Sequence, residues 1–239
     1  CARPGSMPLA RTLSEEGLVI APRHYLNGGD VNLETRAMLE AGLRNPSATL
    51  GDFAAQVSAN RVGLQRLSAL INSAAALEFK DALAAVNEYA RTLALDTLRG
   101  LPAGQYRARD VMDGDGLGSG EVTIEVTITL DAERVVVDFS GTAPMVAGNI
   151  NCPLSVTAAA AYYVLYALMP DETPPCAGSL SVLNLIAPRA TLLNAVAPAA
   201  VAAGNVETSQ RIVDVMLAAL APAAPAMGRP LSAARAASS

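Results

Sequence analysis

At 239 residues the chain is long enough to bury a substantial core, and its 51% hydrophobic and 16% charged residues argue against disorder through most of its length. With 17 Lys plus Arg against 22 Asp plus Glu, the net charge is −5 and no dense basic cluster exists, which excludes nucleic acid as a partner. Cys1, Cys152 and Cys176 form no Cys-x-x-Cys pair, so neither a disulfide framework nor a thiolate zinc site is expected; reduced thiols in a cytoplasmic setting fit better.

In chain order, residues 1 to 31 are rich in Gly and Pro around one apolar run, Leu18 to Ile20, which predicts a strand between loops. The N-terminus lacks the pattern of a signal peptide and an initiator Met, and reads as a cut. From Asp52, a candidate cap, apolar residues fall at Phe53, Val57, Leu64, Leu67 and Ile71 in alternating steps of four and three, with Asn60 in an apolar slot. The same spacing at Phe79, Leu83, Val86, Ala90 and Leu93 predicts a second helix, antiparallel to the first across a short Asn72–Ala76 connection and ended by Leu101-Pro102.

The period then changes to two. Val122, Ile124, Val126, Ile128 and Leu130 alternate with polar residues, a turn follows at Asp131 to Glu133, and Val135, Val137 and Phe139 alternate again. An antiparallel hairpin is expected, with Gln105 to Val111 as a third strand. Asn151 or Cys152 can cap a helix that has Pro153 at its first position and runs to about Met169. That stretch is very apolar, but Ser155, Thr157 and the closing Pro170 make it a buried helix and not a membrane span. The last helix starts near Asn205, a good N-cap, with Glu207 in its first turn and Ile212, Met216 and Leu220 on one face beside Val213 and Leu217. After Pro222 the Ala-rich tail has no apolar period, and disorder is expected over 223–239. The fold class is therefore α+β: antiparallel strands packed with an antiparallel helical pair (52–99) and further helices, the strand-rich part at 104–150 and a helix with extended chain at 151–222.

Several chemistries can be set aside. The Asp113-Gly-Asp115-Gly turn suggests calcium, but an EF-hand register counted from Asp113 places Leu117 fifth and Ile124 twelfth, so the ligand set is missing. His24 is the only histidine and cannot build a His-rich metal site or a Ser-His-Asp centre. No phosphate-binding Gly-rich loop is present, so ATP would not be bound by this chain. Three polar groups remain where burial is expected. Gln56 and Asn60 lie one helical turn apart by the apolar seam and serve either helix register or a site. Gly148-Asn149-Ile150-Asn151-Cys152 leads into a helix N-terminus and serves either as a capped turn or as a binding loop. Gly204-Asn205-Val206-Glu207-Thr208-Ser209-Gln210-Arg211 packs polar side chains onto a buried helix, and capping does not account for Gln210 and Arg211.

Those stretches, GDFAAQVSANRVG (Gly51 to Gly63), VDFSGTAPMVAGNINCP (Val137 to Pro153) and AAGNVETSQRIVDVMLAAL (Ala202 to Leu220), together with PGSMP at Pro4 to Pro8, resemble the B-type subunit of the hydantoinase B/oxoprolinase family. The resemblance spans Pro4 to about Pro222, and the tail does not match the family's Gly- and Asn-rich continuation. It implies an incomplete domain over 1–222 of an ATP-dependent hydrolase that opens a cyclic amide, hydantoin or 5-oxoproline. An A-type partner would bind ATP and phosphorylate the substrate carbonyl oxygen. A divalent metal of the full-length protein would have its ligands outside this chain, which holds no metal site of its own. Within this resemblance Glu207 and Arg211 are expected to be catalytic, and Asn149, Asn151, Asn205, Gln210, Gln56 and Asn60 to bind substrate. The isolated fragment is expected to be inactive and to belong to an oligomer, without membrane contact. The alternatives are a subunit of an ATP-dependent ketone carboxylase and a truncated, inactive subunit that only binds its partner.

Overall fold

The computed structural model describes residues 9–73 and 76–224 and divides into two compact units, one within 16–83 and the other comprising 9–15 and 84–224. The expected tail disorder, the PGSMP motif, Cys1 and the turn between the first two long helices lie outside the described residues.

In the first unit, Leu18 to Ile20 are exposed and form no strand, so that expectation is corrected. The local pairing is instead a two-residue hairpin, β1 (Leu26–Asn27) with β2 (Asp30–Val31), whose turn is Gly28-Gly29, both at positive φ. A helix that the spacing did not reveal follows, α2 (Leu33–Gly42), capped by the Asn32 side chain on the Thr35 amide. The next helix, α3 (Pro46–Ser73), begins six residues before the expected Asp52, because Asn45 supplies the cap and Pro46 the first position. Its apolar seam is covered only in part: no residue of α3 is buried, Phe53, Val57 and Ile71 are half-buried, with Phe53 stacked on Tyr25 at 5.3 Å, and Leu64 is 63% and Leu67 45% exposed. A four-and-three period identifies an apolar face but cannot supply what covers it.

Helix α4 (Ala76–Arg99) runs from one unit into the other, and in the second unit Ala90, Ala94, Leu95 and Leu98 are buried. The second unit also opens with a single helical turn, α1 (Leu13–Glu16). Its sheet has the order β3-β4-β5-β6, with β3 (Gly104–Met112), β4 (Val122–Leu130) and β5 (Val135–Asp138) antiparallel as the alternation requires. Val122, Ile124, Val126, Ile128 and Leu130 are all buried, and Phe139 just beyond β5 is fully buried. Asp131 holds the tight turn by accepting from the Glu133 and Arg134 amides.

The fourth strand, β6 (Leu183–Ile186), pairs parallel to β5 and was not foreseen, because four residues without strong alternation carry no period. A parallel neighbour needs a long crossover, and it contains α5 (Leu154–Tyr166) and α6 (Ala177–Leu180). Helix α5 ends three residues before the expected Met169, and Pro153 is its cap, not its first residue. Helix α7 (Ser209–Leu220) packs on β3, β4 and α5, burying Ile212, Met216 and Leu220 as the spacing predicts. A π-helical turn, Gly204–Thr208, leads into it. Asn205 is therefore inside a helical turn and is not the N-cap that the sequence suggested. Among the described residues no helix is long and apolar enough to cross a membrane.

Candidate functional site

The π-helical turn is the centre of the polar region, and its position follows from the loop beneath it. Asn151 is fully buried and its side chain is spent on backbone: Oδ1 accepts from the Val146 amide at 2.9 Å, and Nδ2 donates to the carbonyls of Val146, Gly148 and Ala200. It folds the 146–151 loop and caps no helix. Asn149 is also buried, and its carbonyl accepts from Ala203 at 3.0 Å, one residue before the π turn. The Thr208 hydroxyl donates to the Ile150 carbonyl, closing the far end of the turn on the same loop. Gly204 lies so close that a Cβ there would stand 2.2 Å from the Asn151 carbonyl oxygen, so only glycine allows this docking.

A third loop is fastened to this pair. The Asp115 carboxylate accepts from the amides of Leu117, Ser119 and Gly148 at 2.8, 3.1 and 2.9 Å, tying the glycine-rich β3–β4 connection to Gly148. Burial works to raise the carboxyl's pKa, but the three amides and the Ser119 hydroxyl outweigh it and hold it at about 2. Both oxygens of the Asp115 carboxylate are thus engaged with backbone amides. No group of three or more His, Cys, Asp or Glu that could hold a metal occurs among the described residues. His24 is exposed, and only its carbonyl is engaged, by the Thr35 hydroxyl. Cys152 is buried, which pushes its thiol up to about 11 despite hydrogen bonds with Thr157, so it is a packing residue and not a nucleophile.

On the outer side of the turn, Asn205, Glu207 and Gln210 are exposed. Asn205 and Gln210, with Ser209 and Asp214, form the polar edge of a groove of about 460 Å³ between α5 and α7. Val156, Ala160, Tyr163, Val213 and Leu217 form its apolar walls. Arg211 does not line the groove. Its guanidinium donates to Asp110 on β3 at 2.6 Å and stands 3.7 Å from Asp214, so two carboxylates already match its charge.

The structure therefore brings six of the eight candidate residues into one region, in two tiers. Asn149 and Asn151 are buried supports, Asn205, Glu207 and Gln210 face solvent, and Arg211 is the tie to β3. Gln56 and Asn60 are exposed on α3, in the other compact unit, so the expectation of buried amides needing partners is corrected. Sequence reasoning did not find Asp110, Tyr163 or Asp214, and it placed Thr208 in the polar stretch without giving it a role. Only Asp214 carried a usable signal, three positions after Arg211 on one helix.

The sequence model of the family described as Hydantoinase B/oxoprolinase matches residues 1–238, including the tail that the motifs had left outside the resemblance. A protein of Methanocaldococcus jannaschii is 32% identical over 219 residues, covering 91% of this chain and 38% of that protein. The 5-oxoprolinase of Dictyostelium discoideum is 32% identical over 94% of this chain and 18% of its own length. A Pseudomonas protein described as one of the subunits of a D-/L-hydantoinase is 29% identical over 88% of this chain and 37% of its own length. This chain thus spans well under half the length of these relatives. Among solved structures, the ATP-dependent caprolactamase from Pseudomonas jessenii superposes with a TM-score of 0.83 at 23% identity, over 92% of this chain and 38% of that one. Nucleotide-free acetone carboxylase superposes with a TM-score of 0.77 at 13% identity, over 92% and 30%. At those identities the two structures establish the shared fold, and the match along the sequence establishes descent: this chain belongs to the hydantoinase B/oxoprolinase family.

Proposed function

We propose that this chain is part of a B-type component that opens a cyclic amide, a hydantoin or 5-oxoproline, together with an A-type partner that binds ATP. The observation that carries the reading is the family match over residues 1–238, joined by relatives named for 5-oxoproline and hydantoin chemistry. Caprolactam, in the name of the superposed hydrolase, is likewise a cyclic amide. The ketone carboxylase alternative has a likeness of fold at 13% identity in its favour, and ranks second on that ground.

The groove geometry suits the proposed chemistry. The Asn205 and Gln210 carboxamides each offer donors and an acceptor, the complement of a ring amide's C=O and N–H. Glu207, exposed in the same π turn as Asn205, would accept a proton from the water that adds to the ring carbonyl carbon. Arg211 is assigned a positioning role, because Asp110 and Asp214 already engage the charge that a phosphorylated intermediate would need.

The test uses the full-length subunit with its A-type partner, measuring ATP-dependent ring opening of hydantoin and 5-oxoproline. Glu207→Gln is expected to lower kcat by about 100-fold or more with a smaller change in KM. Unchanged turnover would remove the acid/base role. Bicarbonate-dependent consumption of acetone without ring opening would establish the carboxylase reading, and co-purification with the partner without any turnover would establish a binding-only role.

A further inference from the structure

The β1–β2 hairpin of the first unit carries a reactive pair that the ring-opening chemistry does not use. Of all the asparagines in the chain, only Asn27 is followed by a glycine. Asn27 is exposed, and among the described residues no hydrogen bond engages its carboxamide. Gly28 is also exposed, sits at φ +60° and has open space where a Cβ would stand, so no side chain shields its backbone nitrogen from the carboxamide before it. The pairing that holds this segment extended amounts to Leu26 with Val31 and Asn27 with Asp30. A ladder that short is marginal and opens at little cost in free energy. The Asn151 carboxamide, by contrast, is buried and spent on backbone, and Cys152 follows it.

We propose that Asn27 is a site of spontaneous deamidation and that its products loosen the hairpin's hold on α3. The Gly28 nitrogen, on losing its proton to hydroxide, attacks the Asn27 Cγ; a C–N bond forms and the side-chain nitrogen leaves as ammonia, giving a cyclic imide. Water then opens the ring at either carbonyl. Breaking the bond between the Gly28 nitrogen and Cγ gives aspartate, and breaking the bond to the main-chain carbonyl carbon gives isoaspartate. Each product carries one new carboxylate, and water is the only co-reactant. Asp30 is the cross-strand partner of Asn27, so the new charge stands opposite a like charge. In isoaspartate the main chain also gains a methylene, which takes Leu26 out of register with Val31. The hairpin is fastened to α3 by the Tyr25–Phe53 ring stack at 5.3 Å and by Arg61, which donates to the Gly29 carbonyl at 3.3 Å. These two attachments flank the modified residue.

The test is incubation of the full-length subunit in warm, mildly alkaline buffer, followed by tryptic mass mapping. The peptide spanning 24–36 is expected to gain one mass unit, with fragment ions placing the gain on Asn27 and not on Asn32, whose side chain caps α2. The rate in the folded subunit is expected to lie within about tenfold of the rate in the urea-unfolded chain, as an easily opened hairpin requires. Gly28→Ala is expected to slow the reaction about tenfold or more, in the unfolded chain as well, and Asn27→Gln to abolish it. Asn27→Asp, which installs one product directly, should speed hydrogen exchange at the Val31 and Asn32 amides about threefold or more, a readout that does not depend on the incubation. No mass gain at Asn27, a folded rate more than about tenfold below the unfolded one, or a rate unmoved by Gly28→Ala overturns the site. Unchanged exchange in both Asn27→Asp and the purified isoaspartate form overturns the loosening.

Discussion

At the scale of single residues, the site is a set of backbone groups held by a few buried side chains, and Asp115 carries the most weight. Its carboxyl sits at about 2 in the folded chain, below the ordinary value of 3.8, because it accepts from three amides. A carboxyl lowered on folding contributes stability that is fully present above its unfolded value and is lost as pH falls through its folded value. Asp115→Asn should therefore cost roughly 1.5–3 kcal/mol at neutral pH, measured by denaturant unfolding, and the difference from wild type should shrink between about pH 4 and 2. A pH-independent difference would mean that the charge is not what holds the loop. Gly204→Ala is a second test, since its Cβ would press on the Asn151 carbonyl, part of a backbone that cannot yield; a loss of about 1–3 kcal/mol is expected. Neither role was legible beforehand. Asp115 drew attention as a possible calcium ligand on a glycine-rich turn, but its partner Gly148 lies 33 residues away, and no local spacing encodes that pairing.

Among elements, legibility followed periodicity. The strict alternation of Val122 to Leu130 and the spacing of Ile212, Met216 and Leu220 are recoverable because one face of each is buried against a continuous core. The π-helical turn escaped because Asn205 and Glu207 read equally well as a cap and a first turn, and the decisive contacts, Ala203 to Asn149 and Thr208 to Ile150, come from a distant loop. A π turn widens the helix locally and recurs at functional sites, consistent with the exposure of Asn205 and Glu207 just before α7. What fixes the start of α7 against the sheet is the Arg211–Asp110 pair, with each side chain about one quarter exposed. A double-mutant cycle of Arg211→Ala and Asp110→Asn should show a coupling of about 1 kcal/mol in stability, discounted for solvent screening. Zero coupling would return Arg211 to the catalytic role that the family resemblance implied.

For the whole molecule, the contrast lies between a unit built on a buried sheet and one whose longest helix has no fully buried residue. The seam of α3 was legible as apolar, yet Leu64 and Leu67 remain 63% and 45% exposed, and the aligned segment makes up only 38% and 18% of two relatives. Helices of this length draw most of their stability in proteins from tertiary packing, so α3 should be the least protected long element when this chain stands alone. Amide hydrogen exchange is expected to proceed at least about 100-fold faster in α3 than in β4. In keeping with that, Leu67→Gln should change stability by less than about 0.5 kcal/mol, whereas Ile128→Ala, which empties a fully buried position of β4, should cost about 2–5 kcal/mol. Slow exchange in α3 together with a large penalty for Leu67→Gln would show that the seam is covered even in the isolated chain. Fast exchange in the isolated chain that becomes slow in the full-length subunit would locate the missing cover in the rest of that polypeptide, and the α3 seam would then be core rather than surface.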